Sequence, residues 1–180
     1  MTIFRINPLS MLPFKKVYTL IVFVFLLLIV NVAQANSSDT TRILFIGNSY
    51  TYFNSSPELV KALIKEKYPN KVVETQLVSD GGLTLKLHWE EKIALDSIKS
   101  KHWDYVVLQE QSKLGMGVLI DREMHFGQTD MFFEYARKFD AVIKKAGAKT
   151  VFLMTWSVKD RPQEQESLAY AYSKMAIELD

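Results

Sequence analysis

The chain has no cysteine at any of its 180 positions. Disulfides, thiol nucleophiles and cysteine-ligated zinc are excluded at once. Histidine is nearly as scarce, at three residues. None of the three lies with carboxylates at a spacing suited to a metal ion. Two phosphate-binding signatures are also missing: there is no G-x-x-x-x-G-K-[ST] loop and no G-x-G-x-x-G turn. Internal repeats and low-complexity tracts are absent as well.

A charge excess of either sign is absent too. Lys+Arg number 22 and Asp+Glu 20. Three of the cations, Arg5, Lys15 and Lys16, precede an apolar run, Val17 to Val30, and Ala33-Gln34-Ala35 follows it. A positive start, an apolar centre and an A-x-A site form the pattern of a secretory signal peptide, here spanning residues 1–35 with cleavage expected before Asn36. The run is shorter than the roughly 20 residues of a spanning helix, so no lasting membrane insertion is expected. No cysteine follows it, which excludes a lipoprotein anchor. Removing the leader takes Lys+Arg from 22 to 19 against 20 acidic residues, a balance of −1. A mature chain with no basic block gives no reason to expect nucleic acid or an anionic surface as partner. Residues 36–180 suffice for one domain, which must rest on its apolar core.

What is present is an alternation. Arg42 to Gly47 is a continuous apolar strand, of the kind buried on both faces of a parallel sheet. Pro57 to Tyr68 reads as a helix, with Pro57 in its first turn and Leu59, Leu63 and Ile64 on one stripe. Lys71 to Val78 is a second strand, followed by the turn cluster Ser79-Asp80-Gly81-Gly82. Thr84 to Ile98 has a helical period through Leu87, Ile93, Leu95 and Ile98, with Thr84 as its cap. Asp104 to Gln109 is a third strand. A long loop with Gly115, Gly117 and Gly127 precedes a helix from Thr129 to Lys145, which Gly147 terminates. Thr150 to Met154 is a fourth strand and Gln163 to Leu179 a last helix. Strands alternating with helices predict a three-layer α/β sandwich with a parallel, flavodoxin-like sheet. Such sheets commonly carry five or more strands, so a further strand is expected beyond Asp180.

Three polar clusters fall at the carboxyl ends of these strands: Gly47-Asn48-Ser49, Gly81-Gly82 and Gln109-Glu110-Gln111. In a doubly wound sheet all three open on one rim, where ligands bind. A hydroxyl that attacks a carbonyl needs donors aimed at the oxyanion it creates. Backbone N–H groups of glycine turns and carboxamides of Gln are such donors. Ser49 is therefore the candidate nucleophile. Each cluster alone is also an ordinary turn, since Gly, Asn and Ser favour turns for reasons of their own. Trp89, Trp103 and Trp156 read as core or cleft wall, and the Met131 to Phe139 stripe as core.

On these residues the chain resembles the SGNH hydrolases, the GDSL-type esterases. Ile46-Gly47-Asn48-Ser49-Tyr50-Thr51 is similar to their nucleophile block, Gly82-Leu83-Thr84 to their second block, and Asp104 to Ser112 stands in place of their third. With His88-Trp89 and Met154-Thr155-Trp156, the combination resembles a secreted bacterial subgroup. The resemblance spans nearly all of residues 42–180. It implies a serine esterase acting on a carboxylic ester, such as an acetyl group on a carbohydrate, with no cofactor. It further implies an oxyanion hole from the N–H of Ser49, the N–H of Gly82 and a side-chain amide. The family uses Asn for that amide, and here either Gln109 or Gln111 stands nearby.

The family's Asp-x-x-His block does not occur in the sequence and is expected beyond Asp180. A serine hydroxyl is a poor nucleophile until a base takes its proton. The chain offers only His88, His102 and His125, with Asp121 and Glu123 near the last. His102 opens a strand at the end away from the rim. His88 lies a turn into a helix that begins near the rim, and His125 is in the long loop. Two other functional classes fit the pattern less closely. One is a non-catalytic module of the same fold that binds a glycan or protein partner. The other is a flavodoxin-like binder of a phosphorylated ligand, using Ser49, Thr51, Ser55 and Ser56.

Overall fold

The computed structural model describes residues 40–111, 117–120, 123–126 and 129–180. The leader at 1–35 lies outside the described residues, as do Ser112, Gly115, Asp121 and Gly127, and nothing is described of the His125 side chain.

The described residues begin with strand β1 (Thr40–Gly47), the single turn α1 (Ser49–Tyr52) and helix α2 (Ser56–Lys67). Strand β2 (Val72–Ser79), helices α3 (Leu85–Glu91) and α4 (Ile93–Ser100) and strand β3 (Tyr105–Leu108) follow. Next come β4 (Gly117–Ile120), β5 (Glu123–Phe126), α5 (Thr129–Lys145), β6 (Lys149–Phe152) and α6 (Glu164–Glu178). The main sheet runs β2-β1-β3-β6 and every pair in it is parallel. The α/β class and the parallel sheet expected from the alternation are thus observed. No helix among the described residues is long and apolar enough to cross a membrane.

β1 shows why an unbroken apolar run was required. Successive side chains of a strand point to opposite faces, and both faces here are covered. Leu44 and Ile46 join a large cluster with Leu85, Ile98, Trp103, Phe132, Phe139 and Leu168. Ile43 and Phe45 join a smaller one with Val73 and Val107, against which Val60 and Ile64 of α2 pack. At the amino end of the strands polar contacts replace apolar ones. The Arg42 N–H donates to Asp104 at 2.7 Å, and its guanidinium meets Glu74 at 3.1 Å.

Four local expectations differ from the structure. The helix read as Thr84 to Ile98 is two helices, because Lys92 takes a left-handed φ of 66° and ends α3. Thr84 does cap the first, accepting from the Leu87 N–H at 3.1 Å. Leu87 and Ile93 are consequently exposed, and Leu85 and Ala94 are buried in their place. On α2, Leu59 and Leu63 are each 57% exposed. The helix faces the sheet through Ile64, as expected, together with Val60, which lies one turn away, as i,i+4 residues do. Finally, the region read as a long loop includes an antiparallel ladder in which Val118 pairs with His125.

Candidate active site

The strand order sends β2 to one side of β1 and β3 to the other. The connection reverses direction between β1 and β3, and crevices at such switch points are where open α/β sheets bind ligands. Ser49 follows β1 with only Asn48 between, and Gln109 directly follows β3.

Ser49 is the first residue of α1 and is held there by its neighbour. Asn48 has an extended backbone and caps the turn, its Oδ1 accepting from the Tyr50 N–H at 3.1 Å. This is the ordinary chemistry of an Asn N-cap. The same side chain also donates from Nδ2 to the Leu83 carbonyl at 2.8 Å. One carboxamide thereby joins the loop after β1 to the loop after β2. Among the described residues, nothing hydrogen-bonds to the Ser49 N–H or its hydroxyl. That is the usual state of a first-turn N–H.

Gly82 sits in the second loop at φ 72°, a left-handed conformation that strongly favours glycine. Its N–H also has no partner among the described residues. The third loop is the most heavily bonded. Gln109 is 0% exposed. Its Oε1 accepts from the Asn48 N–H and from the Thr51 hydroxyl, both at 2.8 Å. Its Nε2 donates to the Glu110 carbonyl. Gln111 is half-buried, and its N–H donates to the Glu110 carboxyl at 2.6 Å. Of the two glutamines, Gln109 thus directs its amide into the protein.

Two titratable groups are buried among these loops. His88, 1% exposed, places Nε2 2.7 Å from the Gly47 carbonyl. A carbonyl only accepts, so Nε2 carries a proton and donates. Burial holds this imidazole below its ordinary pKa, partly opposed by that hydrogen bond, so the ring is neutral at pH 7. Glu110 is also 1% exposed. Its two oxygens each lie 3.2 Å from the Leu85 N–H at the start of α3. Burial pushes its carboxyl up to about 7, against the pull of the Gln111 and Leu85 N–H groups. The Tyr172 hydroxyl of α6 accepts from the Glu110 N–H at 3.0 Å, and burial raises that phenol as well. Sequence reasoning gave Glu110 no individual role. The signal available for it was a lone carboxylate one residue past the end of the apolar run Val106-Val107-Leu108.

The open part of the site is small. Ser49, Tyr50, Phe53, Asn54 and Trp156 line a pocket of about 250 Å³. Trp156, 54% exposed, leans on Tyr50 with ring centroids 4.8 Å apart. It is a wall of that pocket, whereas Trp103 is fully in the core and Trp89 packs edge-on against Phe139. A larger cavity of about 690 Å³ lies between β6 and the end of α6, and no candidate residue lines it. His102, at the other end of β3, is exposed and lies 3.6 Å from Asp104. No cluster of His and carboxylate suited to a metal occurs among the described residues.

Comparison with solved structures gives the same fold. TesA superposes with a TM-score of 0.57 at 15% identity, covering 77% of this chain and 74% of that one. The acetyl xylan esterase AlAXEase gives 0.55 at 16% identity, covering 77% and 73%. The acetylxylan esterase Axe2 of Geobacillus stearothermophilus gives 0.54 at 17% identity, covering 79% and 75%. At these identities the likeness is one of fold. No family model matches the chain, and no curated protein does.

Proposed function

We propose that this protein is a secreted or periplasmic serine esterase of the SGNH type, with Ser49 as nucleophile and a carboxylic ester as substrate. The observation that carries the reading is the placement of Ser49. It heads a helical turn at the β1/β3 switch point, opens on a pocket, and has an N–H that is unpartnered among the described residues. The fold likeness to acetyl xylan esterases supports the class of reaction and suggests acetyl groups on carbohydrate as the ester.

In this reading the Ser49 Oγ attacks the ester carbonyl carbon and its proton passes to a base. The carbonyl oxygen becomes an oxyanion, which needs preorganised donors. The N–H groups of Ser49 and Gly82 are available for it. The engagement of the Gln109 amide with Asn48, Thr51 and Glu110 supports Gln111 over Gln109 as the side-chain donor. The alcohol then leaves, and water releases the acid from the acyl-enzyme. His88 is not assigned as the base, since the nitrogen it directs toward this loop is a donor to Gly47. The Asp-x-x-His pair implied by the resemblance takes that role.

The test is hydrolysis of p-nitrophenyl acetate by the full-length protein, with the Asp-x-x-His block expected beyond Asp180, and by its Ser49→Ala variant. The reading requires Ser49-dependent turnover. An unchanged rate in the variant would overturn it. Amino-terminal sequencing of protein exported from the cell should begin at Asn36.

The position of His88 favours one alternative, a binding module of the same fold that uses the pocket beside Trp156 without turnover. Binding of an acetylated oligosaccharide that persists in Ser49→Ala, with no hydrolysis by either form, would select it.

A further inference from the structure

The residue between β3 and the third loop has a function that its position in the oxyanion cluster does not suggest. Gln109 is fully buried, and its Oε1 is shared by two donors from one short stretch, the Asn48 N–H and the Thr51 hydroxyl. Those donors flank Ser49 on both sides. The Gln109 backbone N–H donates to the Ile46 carbonyl at 2.9 Å, which fixes its Cα beside the end of β1. Its Nε2 donates to the carbonyl of Glu110. The carboxamide cannot rotate without breaking three hydrogen bonds inside the protein. A buried donor left without a partner costs far more than the bond itself contributes.

The neighbouring glycine shows how closely this arrangement is built. A Cβ on Gly47 would lie 2.4 Å from Thr51 Oγ1 and 2.6 Å from Gln109 Oε1. Both atoms would overlap it. Thr51, which supplies the second donor, is itself 1% exposed. Gly47, Thr51 and Gln109 therefore form one unit: the absent side chain of the first makes room for the bond between the other two.

We infer that Gln109 is the positioning residue of the nucleophile turn: through Asn48 and Thr51 it fixes where α1 begins, and hence where the Ser49 hydroxyl and N–H point. The role is distinct from contact with substrate, because the amide faces inward. It rests on the esterase reading only in naming Ser49 as nucleophile. Attack geometry is sensitive to displacements of about 1 Å, which can lower rates on the order of a hundredfold.

Two variants separate the parts. Gln109→Met keeps a similar length and removes both ends of the amide. Gln109→Glu keeps an oxygen acceptor for Asn48 and Thr51 but loses the donor to Glu110. The first readout is amide hydrogen exchange in the full chain, followed by NMR. Gln109→Met should speed exchange of the Asn48 amide by about tenfold or more relative to the parent protein, with the amides of Leu44 and Val106 unchanged. This follows because local opening reports local bonds. Gln109→Glu should retain most of the Asn48 protection. Thr51→Val, which deletes only the hydroxyl donor, should fall between. The second readout is ester turnover. In Gln109→Met kcat should fall at least about tenfold with KM within about twofold, as for an interaction that matters in the transition state. Gln109→Glu should recover part of the loss.

Asn48 exchange unchanged in Gln109→Met would overturn the inference. So would an unchanged kcat in Gln109→Met when the parent protein turns over ester through Ser49. Absence of Ser49-dependent turnover in the parent would instead defeat the esterase reading, and the exchange comparison would still decide the positioning role.

Discussion

Glu110 accepts the Leu85 N–H with both carboxyl oxygens, each at 3.2 Å, and so ties the end of β3 to the start of α3. A few residues away His88, on that same helix, donates from Nε2 to the Gly47 carbonyl at 2.7 Å. The two groups anchor α3 to two different strand ends, and they respond to pH in opposite directions.

For Glu110 the folded pKa is raised from 4.5 to about 7 by burial. The folded state therefore holds its proton more tightly than the unfolded chain. Its contribution is complete below pH 4.5 and is lost as pH rises to about 7. A shift of that size corresponds to a pH-dependent change on the order of 3 kcal/mol. Glu110→Gln preserves volume and an acceptor for Leu85 but does not titrate. Urea unfolding at pH 5 and pH 8 should show that this variant lacks the loss of stability that Glu110 imposes on the parent. An equal pH dependence in parent and variant would mean that Glu110 ionises normally.

His88 has the opposite sign. Burial lowers its folded pKa below 6.5, so the folded state prefers the neutral ring. That preference is fully expressed above pH 6.5 and is lost as pH falls below it, since the unfolded chain gains a proton first. His88→Gln retains an N–H that can reach Gly47 and removes the titration. Between pH 7 and pH 5 it should lose less stability than the parent does. The double variant with Glu110→Gln should be nearly flat across that range. Additivity of the two slopes is the measurement that checks both assignments.

Two glycines should respond to alanine in different ways. At Gly82 a Cβ meets nothing within 4 Å, but φ is 72°. Gly82→Ala should therefore cost only the left-handed backbone, about 1–2 kcal/mol. At Gly47 the backbone is ordinary strand and the Cβ would overlap Thr51 and Gln109. Gly47→Ala should be the more destabilising, about 2 kcal/mol or more, as for overpacking of a filled interior. Thermal unfolding of both variants checks the order. A Gly82→Ala more destabilising than Gly47→Ala would contradict the packing described here.

Much of this is legible in the sequence itself. Ile43 to Ile46 had to be a doubly buried strand, because no half-exposed strand tolerates four large apolar residues in a row. The Gly47-Asn48-Ser49 turn followed from its abrupt end. The break at Lys92 was not legible. The apolar period runs on through it, and only the packing of α3 and α4 on the core selects a left-handed residue there. The exposure of Leu59 and Leu63 was hidden for a related reason. The stripe on α2 contains more apolar residues than the sheet covers, and Val60 and Ile64 take the covered side. For Gln109 and Gln111 the side-chain chemistry is identical. Which amide turns inward depends on Asn48 and Thr51, some sixty residues earlier in the chain, and no local pattern encodes that.

Asn48 provides the sharpest test of how the rim is coupled. Its Oδ1 caps α1 through the Tyr50 N–H, and its Nδ2 holds the Leu83 carbonyl. Replacing an Asn N-cap by alanine typically costs ~1 kcal/mol. Here the substitution also strands the Leu83 carbonyl, which adds a cost of about 1–3 kcal/mol if no water replaces the donor. Asn48→Asp keeps the cap and replaces the donor by an oxygen that repels the Leu83 carbonyl, so the Tyr50 amide reports on the cap and the Leu83 region on the lost bond. Asn48→Asp should leave the Tyr50 amide protected from exchange while destabilising the loop around Leu83. Asn48→Ala should release both. If Asn48→Asp is as stable as the parent and the Leu83 region is unchanged by NMR, the bond between the first two loops contributes nothing. Gly82 would then be held on the rim by its own turn rather than by the nucleophile loop.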